Sequence, residues 1–549
     1  MKEHKIQTEI KAVSWGILLI VAVFLVVPMG FLCWQSLLSP EEAGTGFGVG
    51  NYVETFTDLK FRTAFGNSCL VSALTGLIST CLAFFLAYTV NNTNLPSRLR
   101  SLIGGLTVAP MFLPTITYGF VIIYSFGKQG LLTGFLGFQP FEIYGFNGML
   151  LGYVIYTLPI AFLLINNTFK YVDRNFSTVS KIMGDSPVRS FLVTSVRPLV
   201  GTLGAAFIQS FTLSFTDFGI PASIGGTFDV AAIHLYNEML GSIPNFAGGS
   251  TVAMMMLLPS IISIIAIGYL EKYNFRYSKI SRQEPLASKG RDFCCGGFSL
   301  GILFVIVAIF AVMFVVPLVK SWPYEPSLTM KHIMRLFSSP NILSIYGNSL
   351  FTAFCTALAG TAVSYGAALV ASRSEGGEGI KRIMNGIAIV TNTIPGMVLG
   401  IAFLFAFSGT SLQNSFFILI ACNVIHFFTT PYLMGKSSLE KLNKGWESTA
   451  ALMGDNWCNT LVRVIIPNSW GTVMEMFGYY FINSMITISA LIFLVGARTS
   501  VITTKIKELQ HFAKFDEIFV MSILILLTNI AVKLILSRVS RKSMANKTH

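Results

Sequence analysis

The sequence predicts an all-α transmembrane protein of about twelve helices, arranged as two six-helix units in a parallel repeat. Of its 549 residues, 53% are hydrophobic and 11% are charged, and the mean hydropathy is +0.67. Soluble domains carry about a quarter charged residues. Apolar runs of ~20 residues, enough to cross a bilayer, recur along the whole chain. Short polar motifs also repeat at a nearly constant offset between the two halves.

Twelve apolar runs are candidate spans. They lie at 13–37, 64–91, 102–126, 147–167, 201–224, 250–271, 294–319, 347–371, 383–407, 414–435, 471–495 and 516–537. The first is too long for a signal-peptide core and lacks a small-residue cleavage site, so we expect an uncleaved anchor. Four prolines inside spans break the helix ladder and are candidate flexing points, with packed kinks as the alternative: Pro114, Pro159, Pro395 and Pro431.

The basic residues predict the orientation. With a cytoplasmic N-terminus, 27 of the 38 Lys and Arg residues fall on inner segments and 10 on outer ones. By the positive-inside rule, both terminal segments, 1–12 and 538–549, are then cytoplasmic. We therefore expect a multi-pass protein of a bacterial inner membrane, and no nucleic-acid partner despite the net charge of +13. The eight cysteines form no C-x-x-C and no outward-facing even set, which favours core packing over disulfides or a metal site.

Repeated motifs divide the chain into two units. Gly66-Asn67-Ser68 opens the second span and Gly347-Asn348-Ser349 opens the eighth, 281 positions later. Met183-Gly184-Asp185 recurs as Met453-Gly454-Asp455 at an offset of 270. A shorter outer loop near 408–413 than near 127–146 would account for the difference. The predicted units, 13–271 and 294–537, are joined by a cytoplasmic linker, 272–293, and have the same orientation because each holds an even number of spans.

Two cytoplasmic loops, 172–198 and 442–467, carry the most informative pattern. Each predicts a short amphipathic helix, a Gly able to take positive φ, and an Asp able to cap a second helix. A proline follows, Pro198 or Pro467, where the chain re-enters the membrane. Such an elbow is rigid and exposed, which suits docking of a partner. The alternative is an ordinary basic loop anchored at the lipid surface.

This arrangement resembles the coupling-loop signature of type I ABC importer permeases: Glu-Ala-Ala, three residues, Gly, and a Leu-Pro thirteen residues beyond that Gly. The second copy keeps the Gly-to-Pro spacing, with Glu447 one place early, whereas the proline of the first copy lies fourteen residues past its Gly. The resemblance implies that the following residues couple the chain to an ATPase: Thr178, Val179, Ser180, Gly184, Asp185, Glu447, Ser448, Thr449, Ala450, Gly454, Asp455 and Pro467.

The resemblance also implies partners: a separate ABC ATPase subunit in two copies, an external solute-binding protein, and the bilayer itself. ATP and Mg would be bound by that ATPase, and we expect no cofactor on this chain. The Gly-Lys-Ser at 435–437 lacks the first glycine of a phosphate-binding loop, because position 430 is Thr. We therefore expect a transport subunit without catalytic residues rather than an enzyme.

Polar stripes in two equivalent spans are candidates for the translocation pathway, since polar groups in a membrane are costly unless they serve function. Gln209, Thr212 and Thr216 share a helix face, with Asp217 beside them. The second stripe repeats this spacing at an offset of 271 and comprises Tyr480, Asn483 and Thr487. The alternative is hydrogen bonding between helices, for which Ser and Thr are commonly used.

The expected substrate is inferred from resemblances of shorter segments. Thr216 to Pro221 and Ile486 to Phe493 resemble the 2-aminoethylphosphonate permeases, so the expected solute is that compound or a related phosphonate. Fused ferric iron permeases are the alternative within the family. An ion-coupled secondary transporter would also use twelve spans, but it needs paired charges at mid-membrane. A membrane enzyme would need clustered His, Asp or Glu, whereas the six His are scattered.

Overall fold

The structure, a computed structural model, describes residues 2–38, 46–172, 175–270, 272, 288–373, 378–443 and 445–545. Most of the predicted linker 272–293 lies outside the described residues, as do the first and the last few residues of the two predicted terminal segments.

Within the residues that the structure describes, the first unit contains fourteen α-helices. They are α1 Lys2–Val21, α2 Val27–Ser36, α3 Gly50–Thr57, α4 Leu59–Asn92, α5 Ser97–Val108, α6 Thr115–Phe126, α7 Leu131–Leu136, α8 Phe146–Phe169, α9 Asn175–Ile182, α10 Pro187–Phe191, α11 Val200–Thr216, α12 Gly219–Ile224, α13 Ala231–Leu240 and α14 Phe246–Leu270. Short 3₁₀ or π turns extend several of them, at Ala22–Val26, Ala109–Phe112, Leu192–Val196 and Arg197–Leu199.

The second unit repeats this order. Its helices are α15 Lys289–Val315, α16 Lys331–Phe337, α17 Pro340–Arg373, α18 Glu378–Thr393, α19 Gly396–Phe407, α20 Phe416–His426, α21 Thr429–Glu440, α22 Gly445–Leu452, α23 Trp457–Thr460, α24 Ile466–Asn468, α25 Trp470–Ile486, α26 Ile502–His511 and α27 Phe515–Ala545. A small antiparallel hairpin, β1 Val319–Ser321 and β2 Glu325–Leu328, follows α15. Further turns lie at Val316–Leu318, Leu461–Ile465 and Leu491–Phe493.

The predicted all-α membrane architecture is confirmed. Among the described residues, eight helices are long and apolar enough to cross a membrane, and three bent helix pairs raise the number to eleven. A twelfth helix, α25, has 17 residues and occupies the place that α11 takes in the first unit. The helices of the two units correspond at an offset of 281 up to α6 and α19, and at 270 for α8 and α20. The offset changes because the outer segment between α6 and α8, which holds α7, is longer than the segment between α19 and α20.

Two of the four membrane prolines lie at sharp bends. The chain turns by 108° between Phe112 and Thr115 and by 103° between Thr393 and Gly396, with Pro114 and Pro395 as the N-caps of the helices that follow. A proline cannot donate a backbone hydrogen bond, so the ladder is interrupted there. The third bend, of 56°, precedes Pro431, whereas Pro159 stays inside an unbroken α8.

Two predicted spans are wrong at their outer ends. The fifth, 201–224, continues as a helix only to Thr216, and the eleventh, 471–495, only to Ile486. Both helices end in an extended residue, Asp217 with ψ of 136° and Thr487 with ψ of 139°. The apolar residues beyond each break pack inside the protein as short helical turns, which hydropathy alone cannot distinguish from a continuing span.

Each unit packs around one long helix. The helix α4 contacts α8 and α11, and its equivalent α17 contacts α21 and α25. The first helices are exchanged between units, because α1 packs on α17 and α2 on α19, while α15 packs on α4 and α6. The boundary between the two units in the sequence is therefore not the boundary of the packed core, which is continuous across both.

The Asn of the repeated Gly-Asn-Ser motif holds an outer loop in each unit. Asn67 Nδ2 donates to the Asp229 carbonyl at 2.9 Å, and Asn348 Nδ2 donates to the Ser500 carbonyl at 3.1 Å. The glycine of the motif has open space around it in both units, so packing does not require it. The motif is therefore repeated because its Asn makes the same long-range hydrogen bond in both units, and not because its Gly forms a local turn.

Candidate coupling loops and translocation pathway

The two predicted coupling loops share one backbone conformation. In each, a helix of eight residues, α9 or α22, is followed by a glycine in the left-handed region. The φ of Gly184 is +75° and that of Gly454 is +86°. An L-amino acid pays about 1–2 kcal/mol for this conformation, whereas glycine does not. The positive φ predicted from the sequence is confirmed in both loops.

The hydrogen bonds around these glycines are also repeated. The N–H of Asp185 donates to the Ser180 carbonyl at 3.1 Å, and the N–H of Asp455 donates to the Ala450 carbonyl at 2.9 Å. Such a bond across six residues is characteristic of the Schellman ending of a helix. Each loop therefore turns at a fixed angle, as a force-transmitting elbow requires.

Neither aspartate caps the helix that follows, which corrects the role predicted from the sequence. Ser186 is the N-cap of α10, and its hydroxyl accepts a backbone N–H at 3.4 Å. Asn456 occupies the N-cap position of α23. One extended residue must follow the left-handed glycine before helical φ and ψ resume, which moves the cap one place on. Asp185 instead accepts the Ser180 hydroxyl at 2.8 Å, and Asp455 accepts an amide N–H at 3.1 Å.

The structure explains why the prolines lie at different distances from the two glycines. The second limb of each elbow is a short helix followed by a five-residue π turn, Leu192–Val196 or Leu461–Ile465. In the first loop that short helix, α10, has five residues, and in the second loop α23 has four. The second loop has one additional residue, Ser469, as the N-cap of α25. As a result α11 and α25 begin at the same distance from their glycines. The extra residue of the first loop therefore leaves the elbow itself unchanged.

Apolar side chains at the tips of both elbows are strongly exposed. In the first loop Ile182 is 81% exposed and Met183 is 73% exposed. In the second, Leu452 is 87% exposed and Met453 is 82% exposed. Contiguous exposed apolar side chains of this kind mark protein or membrane contacts. The matched pairs lie at the same position of each elbow and so present two equivalent exposed apolar surfaces.

The other predicted coupling residues divide into exposed and inward-facing groups. Thr178, Val179, Thr449 and Pro467 are exposed, whereas Ser180 is buried and Ala450 is half-buried. The side chain of Ser448 lies outside the described residues.

An ion pair holds the second loop to the membrane domain. The Arg373 side chain, 1% exposed at the end of α17, donates from Nη1 to Glu447 Oε2 at 3.2 Å. Its Nη2 donates to the carbonyls of Leu439 at 2.9 Å and of Leu442 at 3.2 Å. The sequence does not reveal this role of Arg373, because nothing in the local pattern connects it with a residue 74 positions away.

The first loop is held differently. Position 84 of α4 corresponds to 365 of α17, where Tyr365 shares a 2.6 Å hydrogen bond with Ser469. Phe84 takes this place in the first unit, and its ring lies 5.7 Å from that of Phe169 and 5.9 Å from that of Phe191. Ring packing thus replaces polar bonds, so the two elbows are anchored by unlike chemistry although their backbones match.

The stripe predicted along α11 is present on a half-buried face. Gln209, Thr212 and Thr216 are half-buried, and both threonine hydroxyls donate to carbonyls one turn earlier. Asp217 is buried at the end of the helix, where its carboxylate accepts the N–H of Ile220 at 2.9 Å. The carboxylate therefore stabilises the break between α11 and α12.

The matching stripe in the second unit is shifted by one residue. α11 and α25 correspond at an offset of 270, so Tyr479 rather than Tyr480 is equivalent to Gln209. Tyr480 is completely buried, and its hydroxyl shares a 2.6 Å hydrogen bond with Ser364 inside the second unit. Asn483 and Thr487 are half-buried. Thr487 is the structural counterpart of Asp217, because each ends its helix in the same extended conformation.

In each unit the two interrupted helical segments meet at a glycine on one segment and a hydroxyl side chain on the other. The two units place the glycine on opposite segments. A Cβ added at Gly219 would overlap the Thr115 hydroxyl, and a Cβ added at Gly396 would lie 2.5 Å from the Ser489 hydroxyl. Thr115 and Gly396 are equivalent positions, as are Gly219 and Ser489. The two bent segments approach each other too closely in both units for side chains on both sides. This contact fixes the interrupted helices that border the candidate pathway.

The sequence matches the family described as binding-protein-dependent transport system inner membrane component twice, over residues 79–276 and 364–543. The chain is 25% identical, over 79% of its length and 70% of the relative's, to a putative ferric transport system permease protein of Haemophilus influenzae. It is 24% identical, over 80% of its length and 66% of the relative's, to a ferric transport system permease protein of Actinobacillus pleuropneumoniae.

A shorter similarity covers one unit. A molybdenum transport system permease protein of Azotobacter vinelandii is 27% identical over 36% of this chain and 87% of its own length. The family matches cover more than half of the chain and fall once in each structural unit. The chain therefore belongs to the family of binding-protein-dependent transport system inner membrane components, and it is a multi-pass ABC importer permease with two family units in one polypeptide.

Proposed function

We propose that this chain forms the translocation pathway for a small solute that an external binding protein delivers, and that separate ATPase subunits drive the transport. The two matched elbows with exposed apolar tips carry this proposal. Two copies of the ATPase, one on each elbow, would bind the ATP and Mg, while this chain binds no cofactor. Both termini and both elbows would then lie on the cytoplasmic side of the inner membrane.

A variant that disrupts the contact between an elbow and the ATPase tests the importer assignment. The affinity-tagged full chain, extracted from its native membranes, should retain an ABC ATPase, and Gly454→Asp should reduce both the retained ATPase and solute uptake. Gly379→Asp is the matched control, because Gly379 is exposed at the start of α18 with open space around it. If no ATPase is retained and Gly454→Asp transports normally, the assignment fails.

An ion-coupled secondary transporter is the alternative from another class. Such a protein would transport in membrane vesicles energised by a proton or sodium gradient alone. An ATP-driven importer should instead need ATP on the elbow side and be insensitive to collapse of the gradients. Uptake that persists without ATP would favour the alternative.

For the solute we propose 2-aminoethylphosphonate or a related phosphonate, on the resemblance of the segments around Asp217 and Thr487. Ferric iron is the second candidate, because two relatives are named ferric transport system permeases. Uptake of labelled 2-aminoethylphosphonate and of labelled ferric iron in a strain lacking this chain separates the two. If neither uptake is lost, both substrates are excluded.

A further inference from the structure

A cavity of about 310 Å³ lies between the two units, beyond the end of α11 that is opposite to the coupling loop. The first unit contributes the turn from Pro221 to Gly226 and the rings of Tyr144 and Tyr236, and the second contributes Lys507 and Gln510 of α26. Its volume is at the lower end of the range of small-molecule sites, roughly 300–1,000 Å³. None of the described residues that line it is acidic.

Lys507 brings a positive charge from the second unit into this cavity. Its Nζ donates to the Ala222 carbonyl at 3.2 Å and to Gln510 Oε1 at 3.0 Å. It also lies 6.0 Å from the centroid of the Phe218 ring. An ammonium group has three N–H donors, so these two acceptors leave one donor for a ligand.

The other basic residue of the same helix has a counter-charge. Lys505 Nζ pairs with Glu508 Oε1 at 2.6 Å, whereas within the described part of the chain Lys507 has neutral partners alone. Burial lowers the pKa of Lys507 from its ordinary value, since the charged form loses solvation. A half-buried cation with neutral partners gains more from a bound anion than does a lysine that already pairs with a carboxylate.

The cavity adjoins the segment that borders the candidate pathway. Phe218, which directly follows Asp217, lines it. Tyr236 of α13 corresponds to Lys507 of α26, because the two helices align at an offset of 271. The Tyr236 ring lies 4.9 Å from that of Phe218 and 6.4 Å from that of Phe493 in the second unit. Only one of the two equivalent positions thus carries a charge, and that charge lies at the boundary between the units.

We propose that this cavity is an oxyanion site at the outer mouth of the pathway, in which Lys507 binds the phosphonate or phosphate group of the solute. The bound oxyanion would accept the third N–H of the ammonium group and draw that group away from the Ala222 carbonyl. Since Gln510 Nε2 also donates to that carbonyl at 2.9 Å, α26 would stay attached to the first unit while Lys507 turns to the solute. The inference rests on the proposed function for the direction of transport and narrows its solute to an anion.

Transport of labelled 2-aminoethylphosphonate by the complete complex with its ATPase and binding protein provides the first test. Lys507→Gln should lower the maximal uptake rate about tenfold, the effect of one lost charge-assisted hydrogen bond. The half-saturating concentration should stay unchanged, because the binding protein captures the solute. Lys507→Arg should keep most of the rate, and Lys505→Gln, which removes a charge from the same helix, should behave as the unmodified protein.

A second test does not depend on the identity of the solute. Tyr236→Cys places a thiol in the cavity, and its modification by an anionic methanethiosulfonate reagent relative to a neutral one reports the local charge. Adding Lys507→Gln should lower this ratio several-fold, whereas adding Lys505→Gln should not. Inorganic phosphate or 2-aminoethylphosphonate should protect the thiol only while Lys507 is present.

The outcomes separate this inference from the importer assignment. If Gly454→Asp abolishes uptake while Lys507→Gln changes neither the uptake nor the modification ratio, the oxyanion site is refuted and the importer remains. Transport of ferric iron at a rate independent of Lys507 would also overturn it. Normal transport by Gly454→Asp, together with the absence of a retained ATPase, contradicts the importer itself.

Discussion

The hydroxyl of Ser68 accepts the backbone N–H of Ala231 at 2.8 Å, which joins two residues 163 positions apart. Ser349 accepts the N–H of Ile502 at 2.7 Å in the second unit. In both units a serine near the start of the long central helix thus satisfies the first N–H of a short outer helix, α13 or α26. Those two helices line the cavity that contains Lys507, so the repeated motif positions two walls of that cavity.

Removal of this serine should destabilise the protein. Ser68→Ala or Ser349→Ala leaves a buried N–H without its acceptor and should cost about 0.5–2 kcal/mol, as the loss of a helix cap does. The midpoint of thermal unfolding of the purified full chain measures the effect. Ser101→Ala, at an exposed position of α5, is the control and should leave the midpoint unchanged. Equal midpoints for all three variants would contradict the capping role.

The left-handed glycines should be needed for coupling. Gly184→Ala or Gly454→Ala forces an L-residue into positive φ, at about 1–2 kcal/mol, or changes the angle of the elbow. We expect ATP-driven uptake to fall about five- to thirtyfold, which corresponds to that free energy. Gly379→Ala, whose φ is not in the left-handed region, should transport normally. Unimpaired uptake by both elbow variants would show that the elbow angle is not transmitted.

The buried ion pair should fix the second elbow to the membrane domain. Arg373→Gln removes the cation that pairs with Glu447 and the side-chain donor to the Leu439 and Leu442 carbonyls, and breaking a buried pair costs about 3–5 kcal/mol. Proteolysis of residues 442–467 should accelerate, and uptake should fall. Arg382→Gln breaks an exposed pair with Glu378 and should cost about 0–1 kcal/mol.

A double variant checks this explanation. Arg373→Gln with Glu447→Gln also removes the negative charge that Arg373 pairs with, and it should recover part of the stability that the single change loses. If the double variant is as unstable as the sum of the two single ones, the pair contributes through separate contacts.

Tyr480 should stabilise the second unit by packing closely against Gly360 of α17. A Cβ at Gly360 would lie 2.5 Å from Tyr480 Cζ, so Gly360→Ala must displace a completely buried ring and should cost about 1–3 kcal/mol. Gly347→Ala is the matched control on the same helix, because nothing lies within 4 Å of its added methyl group. In a helix interior alanine is favoured over glycine by about 1 kcal/mol, so this control should raise the unfolding midpoint. A stable Gly360→Ala variant would contradict the close contact.

The elements that the sequence predicted well are those with a local physical signal. Runs of ~20 apolar residues identify membrane helices whatever they pack against, and Pro114 and Pro395 mark two of the three sharp bends because a proline has no backbone N–H to donate. Gly184 and Gly454 were found because a left-handed turn favours one residue type. The ends of α11 and α25 were missed, since the apolar residues after Asp217 and Thr487 read as membrane helix although they pack as separate short turns.

Hydropathy, charge and repeated motifs establish a membrane permease of two similar units, because each depends on neighbours in the chain. Only the folded chain decides that the first helices are exchanged between the units, that Arg373 holds Glu447, and that Lys507 enters a cavity of the other unit. These contacts join residues far apart in sequence, and their energies depend on burial and distance, which no local pattern contains. The Gly-Asn-Ser motif shows both levels, since its repetition is visible in the sequence and its hydrogen bonds to α13 and α26 exist only in the fold.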